Sequence, residues 1–317
     1  MSSPDVRAST IAAFLGAPLV GRDVPIRGVA PAGAAAPNML AFAKQNTLRL
    51  NEEIAALYLV RDDRVLPEDA ACSFIPVANP RLACAKVAAE FFAPRPEPRI
   101  ADTAIIGENV RIGSGVTVGE YSVIGDHVVI GAGTRVGHHA VVAENTTIGE
   151  RCVIKSHAVI GEQGFGFDFE PDGRPVRIPH IGRTVIGNDV EIGNGVTVCR
   201  ATWGATIIGD HVKIDDHVHV GHNCRIDANT IIVAGAIVGG SVRVGESAWL
   251  GPNCSIIQKV TIGRRALVGI GALVTRDVPD DVAVVGQNGR TVPRAFFDNP
   301  TSTARPAPNE ASGRDES

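Results

Sequence analysis

The chain has 317 residues, 44% of them hydrophobic and 35 of them glycine, with a formal net charge of −4. That length accommodates two domains, and the small acidic balance argues against a nucleic-acid-binding or membrane-surface protein, which needs a basic footprint. No apolar run reaches the roughly 20 residues of a membrane-spanning helix, and no basic-then-apolar leader opens the chain, so the expectation is a cytoplasmic protein without stable membrane insertion.

Ser3-Pro4-Asp5 has the composition of a helix start, Ser as cap and Pro at the first position. Ile11, Phe14 and Leu15 would form the buried face and Gly16 the stop. Pro25–Val29 and Leu40–Ala43 are short extended candidates, and Ala56–Val60 and Phe74–Val77 are strands. Asn79-Pro80 opens a second helix by the same capping logic, with Leu82, Val87 and Phe91 along one face. Residues 1–97 therefore make a small α/β domain, and Pro94-Arg95-Pro96-Glu97-Pro98 is a stiff linker.

From Ile106 an aliphatic residue recurs at every sixth position: Ile112, Val118, Ile124, Ile130, Val136, Val142, Ile148, Ile154 and Ile160. The period is neither the 3.6 of a helix nor the 2 of a strand. It marks a hexapeptide-repeat β-helix, in which each repeat is one flat side of a triangular coil. The aliphatic side chain points inward. The residue four further on is small or β-branched and lets the chain turn. The glycine that follows most aliphatics is expected to tolerate unusual backbone angles. Three sides give a coil of about eighteen residues, so residue i stacks on residue i+18. The pattern lapses after Gly164, resumes at Ile186, Ile192 and Val198, slips, and runs again from Ile208 to Val274. The fold class is thus mainly β, a left-handed parallel β-helix over residues 98–285 behind the small α/β domain. Such a narrow prism must cover its apolar outer faces, which suggests a homotrimer.

Phe165–Pro179 interrupts the repeat with exposed aromatics, as a binding loop or a covering loop. Val284-Val285-Gly286 closes the prism end. The Pro-, Ala-, Ser- and charge-rich residues 286–317 are an extension, largely a disordered tail. The six cysteines, Cys72, Cys84, Cys152, Cys199, Cys224 and Cys254, show no C-x-x-C spacing and suit small buried positions, so they are read as reduced thiols.

The densest polar cluster is Asp215-Asp216-His217-Val218-His219-Val220-Gly221-His222-Asn223. Histidine exchanges protons near neutral pH. His211, His217 and His219 read as solvated wall residues. His222 lies two residues after Val220, and the i+18 rule places Gly240 on it, one coil along. A general base beside an open backbone N–H is the minimum kit for acyl transfer: the base activates the nucleophile and the donor holds the oxyanion. Asp215 or Asp216 would orient the imidazole. The competing use is zinc, with His217, His222 and a third ligand near His180. The preferred reading has no metal.

These residues also resemble a family, the UDP-3-O-acylglucosamine N-acyltransferases of lipid A synthesis. The resemblance lies in Gly28-Val29-Ala30, Phe42 and the Asn79-Pro80 helix, and in Gly164-Phe165-Gly166-Phe167 with Ile178-Pro179-His180-Ile181-Gly182. His222-Asn223 with Gly239-Gly240-Ser241 completes it. It implies a homotrimer with sites between prisms and a uridine-binding N-terminal domain. The reaction it implies moves a 3-hydroxyacyl chain from acyl carrier protein to the 2-amine of a UDP-3-O-acylglucosamine. His222 would be the base and Gly240 N–H the oxyanion donor. Phe42 would stack on uracil, Arg276 would flank the phosphopantetheine, and Asn223 and Phe165 would contact substrate. No cofactor is needed beyond the acyl carrier protein or CoA thioester as co-substrate. The chain departs from the family's Asp-Arg-Gly run (Cys199-Arg200-Ala201-Thr202), from a uracil-binding Tyr (near Leu48) and from a second site histidine (near Gln258-Lys259). A helical C-terminal extension is replaced by the Pro-rich tail. An acyl-CoA- or acetyl-CoA-dependent transferase acting on another nucleotide-linked amino sugar is the alternative.

Overall fold

The computed structural model describes residues 6–43, 54, 56–67, 70–94 and 97–286. Ser3-Pro4-Asp5, Leu48, the Arg95-Pro96 part of the linker and the tail from 287 lie outside them. The chain divides into two compact units, Met1–Pro96 and Glu97–Ser317. Among the described residues no helix is long and apolar enough to cross a membrane.

In the first unit, β1 (Val6–Arg7) pairs antiparallel with β2 (Pro25–Ile26). Strands β3 (Gly28–Val29), β4 (Met39–Phe42), β5 (Leu57–Arg61) and β6 (Ser73–Val77) form a parallel sheet in that order. Leu57, Tyr58, Leu59 and Val60 are all buried, as befits a parallel strand covered on both faces. Helix α1 (Ala8–Leu15) starts behind Arg7 with no side-chain cap and stops at Gly16, whose φ of 62° is the left-handed turn-off. Helix α2 (Pro80–Val87) is capped by the Asn79 side chain, which accepts from Leu82 N–H at 3.1 Å. Two expected core positions are not buried. Leu82 lies off the stripe made by Pro80, Ala83, Cys84 and Val87 and is 52% exposed. Phe14 also faces outward and rests edge-on against Phe91 at 5.3 Å.

The second unit is the prism, three parallel sheets of nine, eight and nine short strands. Register follows the eighteen-residue rule, Ile124 on Ile106 and Val142 on Ile124. It widens twice. Ile148 pairs with Ile186, thirty-eight residues on, because the Phe165–Pro179 segment is thrown out as an antiparallel hairpin of Phe167–Phe169 with Pro175–Arg177. Ile186 pairs with Ile208, twenty-two on, because four extra residues bulge out between Val198 and Ala205. Val284 pairs with Val268 at the far end, as expected. The inward aliphatics form one continuous core, Val118 to Val274 being at most 6% exposed along it.

The glycines do a different job from the one expected. The residues with left-handed φ sit three positions after each aliphatic and are mostly not glycine: Asn109 (55°), Tyr121 (58°), His127 (58°), Asn223 (60°) and Lys259 (65°) among them. The glycine directly after the aliphatic has ordinary φ in the regular coils. It is needed because the next coil passes too close. A Cβ on Gly119 would lie 2.6 Å from the Gly137 backbone, and one on Gly125 would lie 2.7 Å from Glu144 N.

Candidate active site

His222 follows the strand His219–Val220, where the inward Val220 stacks under Val238. Two residues further on, the column predicted from the repeat holds: a Cβ on Gly240 would lie 2.7 Å from His222 Nε2. The half-buried imidazole therefore aims Nε2 at the backbone of the next coil. At this turn position several coils cap the N–H with a side chain from the coil above, as Asp126 Oδ1 accepts from Glu108 N–H and Asp216 Oδ1 from Asn194 N–H. Gly240 has no side chain with which to cap His222 N–H. Among the described residues Gly240 N–H has no acceptor in the chain either. A base and an open donor thus lie on neighbouring coils at one corner.

The other nitrogen is held by Asn223. Its amide nitrogen donates to Trp203 O at 2.9 Å, which leaves Oδ1 toward the site. Oδ1 accepts from Thr202 N–H (3.0 Å) and Thr202 Oγ1 (2.9 Å) and lies 2.9 Å from His222 Nδ1. A carbonyl oxygen can only accept, so Nδ1 carries the proton and Nε2 is the bare base. This corrects the expectation that Asp215 or Asp216 orients the ring. Both belong to the preceding corner: Asp216 is taken by Asn194, and Asp215 accepts from Asp216 N–H and Ala234 N–H. Thr202 and Trp203 come from the four-residue bulge, so the Cys199-Arg200-Ala201-Thr202 segment is what locks Asn223. Arg200, 5% exposed, anchors that bulge through bonds to Gly161 O, Glu144 Oε1 (2.5 Å) and Glu144 O (3.2 Å).

His180, given no catalytic role by the sequence, is buried and stands edge-on to His222 with ring centroids 5.1 Å apart. Burial, then the neighbouring positive groups, hold its imidazole below the usual histidine range. His219 is half-buried and bonded to Thr197 Oγ1 at 2.7 Å, rather than solvated, and burial lowers it too. His217 lies on a different corner, with its ring over Gly195. Among the described residues no three His, Cys, Asp or Glu side chains converge to hold a metal ion.

The remaining expected contacts are spread out. Phe165 is 87% exposed and tilts on Phe167 at 4.8 Å, with Arg177 over the Phe167 ring. Arg276 is exposed in the same column as His222, Gly240 and Gln258, three coils or about 14 Å along at the usual strand spacing. Phe42 ends β4 in the first unit, half-buried against its core. His180, Thr202 and Trp203 were not legible as site residues, because each sits on an insertion where the i+18 rule has no register.

Comparisons with known proteins follow the same outline. Residues 93–204 match the GMPPB C-terminal domain family and residues 205–240 the bacterial transferase hexapeptide (six repeats) family. A UDP-3-O-acylglucosamine N-acyltransferase of Thermosynechococcus vestitus is 50% identical over 72 residues, 23% of this chain and 21% of its own. One of Methylorubrum extorquens is 30% identical over 156 residues, 49% of this chain and 43% of its own. The chain thus spans less than half the length of these curated relatives. Among solved structures, LpxA from Acinetobacter baumannii is 30% identical with a TM-score of 0.54, covering 59% of this chain and 71% of its own. The Francisella novicida UDP-N-acetylglucosamine acyltransferase is 28% identical with a TM-score of 0.55, covering 59% and 66%.

Proposed function

The chain belongs to the hexapeptide-repeat acyltransferases of lipid A type, and on that premise we propose that it is an N-acyltransferase with His222 as general base. The observation that carries the proposal is the bare His222 Nε2 beside Gly240, whose N–H is uncapped. The substrate amine attacks the thioester carbonyl carbon as His222 Nε2 removes its proton. Gly240 N–H holds the oxyanion of the tetrahedral intermediate, a contribution of about 3 kcal/mol for a donor of this kind. Collapse forms the amide and expels the thiolate, which takes the proton back from the imidazolium.

The acceptor is a UDP-3-O-acylglucosamine and the donor a 3-hydroxyacyl chain on acyl carrier protein, with Phe42 on the uracil and Arg276 beside the phosphopantetheine. The curated relatives' printed name supports the acceptor. The working form is a homotrimer, supported by the outward residues of one sheet, where Ile105, Ile237 and Leu273 are 64%, 50% and 71% exposed and need covering.

The test is a mass-spectrometric acylation assay on the protein and on His222→Ala. Acceptors are UDP-3-O-acylglucosamine and other amino-sugar nucleotides; donors are 3-hydroxyacyl carrier protein and acetyl-CoA. Product from the first acceptor and donor, lost in the variant, is the expected result. Product only with acetyl-CoA or another sugar reassigns the substrates and keeps the machinery. Undiminished turnover in His222→Ala overturns the base.

A further inference from the structure

The mechanism above uses one imidazole, yet a second, 2% exposed, lies against it. We propose that His180 is a positioning residue for His222, the ring that packs edge-on against the base and holds the Gln163–Gly166 segment over it. The proposal rests on His222 being the base.

The anchoring is specific. His180 Nδ1 lies 3.0 Å from Ile178 O, an acceptor, so Nδ1 is the protonated nitrogen and the neutral ring has its proton there. Nε2 is then a bare, fully buried lone pair with no hydrogen-bond partner, an exception that native interiors rarely leave without a role. What covers it is backbone. A Cβ on Gly164 would lie 3.1 Å from His180 Nε2 and 3.4 Å from both His222 Cβ and Cys199 Cβ, and one on Gly166 would lie 3.0 Å from His180 Cε1. Gly164 thus fills the angle between the two imidazoles. The segment is tied down around them: Gln163 Oε1 accepts from His180 N–H at 3.4 Å, Gly166 O from Ile178 N–H at 3.0 Å, and Gly164 O from Arg177 at 3.1 Å.

The two rings meet at 83°, so the edge of one abuts the face of the other and blocks rotation out of line with Gly240. Neutrality matters as much as shape. When His222 takes up the amine proton, a second charge about 5 Å away would oppose it, and the buried, bare His180 supplies none. A ring serving this purpose works through the base and touches no reacting atom. Groups that orient a functional histidine are typically worth ten- to a hundredfold.

The experiment compares wild type, His180→Ala, His180→Gln and His222→Ala. It uses UDP-3-O-acylglucosamine with 3-hydroxyacyl carrier protein, together with long-range ¹H–¹⁵N spectra of the histidine-labelled proteins. The expected result for His180→Ala is a kcat lowered about tenfold or more with both KM values within about twofold. His222 signals change from one sharp Nδ1–H tautomer to averaged or broadened lines. His180→Gln, whose amide can donate to Ile178 O, restores most of both. If His180→Ala does not fold, His180→Ser, which also removes the ring, stands in for it. A single sharp His222 tautomer in the Ala variant overturns the proposal even where the assay pair gives no turnover, and so does unchanged kcat. Full turnover in His222→Ala instead overturns the base itself, whatever His180 does.

Discussion

Because the Asn223 carbonyl oxygen can only accept, its 2.9 Å contact with His222 Nδ1 keeps that nitrogen protonated and leaves Nε2 to act. Asn223→Ala removes the orienting acceptor and is expected to lower kcat ten- to a hundredfold, roughly the cost of losing such a partner, with little change in KM. Gly240→Ala places a carbon 2.7 Å from Nε2. It should abolish turnover at a stability cost of about 1–3 kcal/mol for an overpacked site, which kinetics and urea unfolding separate. Burial also holds His180 and His219 below the usual histidine range. The unfolded chain binds protons at these groups below about pH 6.5 that the folded chain refuses. Stability therefore falls as pH drops through that range and levels off once the folded groups protonate as well. The melting temperature should be lower at about pH 5.5 than at about pH 7.5, and the drop should shrink in His180→Gln.

At the scale of one coil, the six-residue repeat contains two backbone devices that are easily confused. The glycine after each aliphatic admits the neighbouring coil, and the residue two further on bends the chain in the left-handed region. Gly125→Ala drives a methyl to 2.7 Å from Glu144 N and 3.1 Å from Ala143 C, both backbone, and is expected to cost about 2 kcal/mol or more. His127→Gly relieves a φ of 58° worth about 1–2 kcal/mol, set against glycine's entropy of about 0.5–1 kcal/mol. It should be neutral or slightly stabilising. Paired urea midpoints check the contrast, and the opposite order would refute the assignment of the two positions.

For the whole molecule, the inward positions share one core. Cys224 and Cys254 sit within it, their thiols pushed by burial up to about 12 and about 11. Neither ionises at about pH 8, so a thiol reagent should label neither in the native protein and both after denaturation; fast native labelling of either would mean that the prism opens locally.

The sequence by itself determined the prism, its register and the His222–Gly240 column, because a strict period with an inward aliphatic leaves no freedom in what stacks on what. Within a coil, residue i+18 is as predictable as residue i+4 in a helix. It also marked both interruptions as places where that rule fails. Only the tertiary structure decided what the interruptions do. The bulge between Val198 and Ala205 returns Thr202 and Trp203 to Asn223, and the excursion returns Gly164 and His180 to His222. Sequence periodicity cannot carry that information, because these contacts depend on where an inserted loop folds back, and that is set by packing and hydrogen bonding between segments with no common repeat.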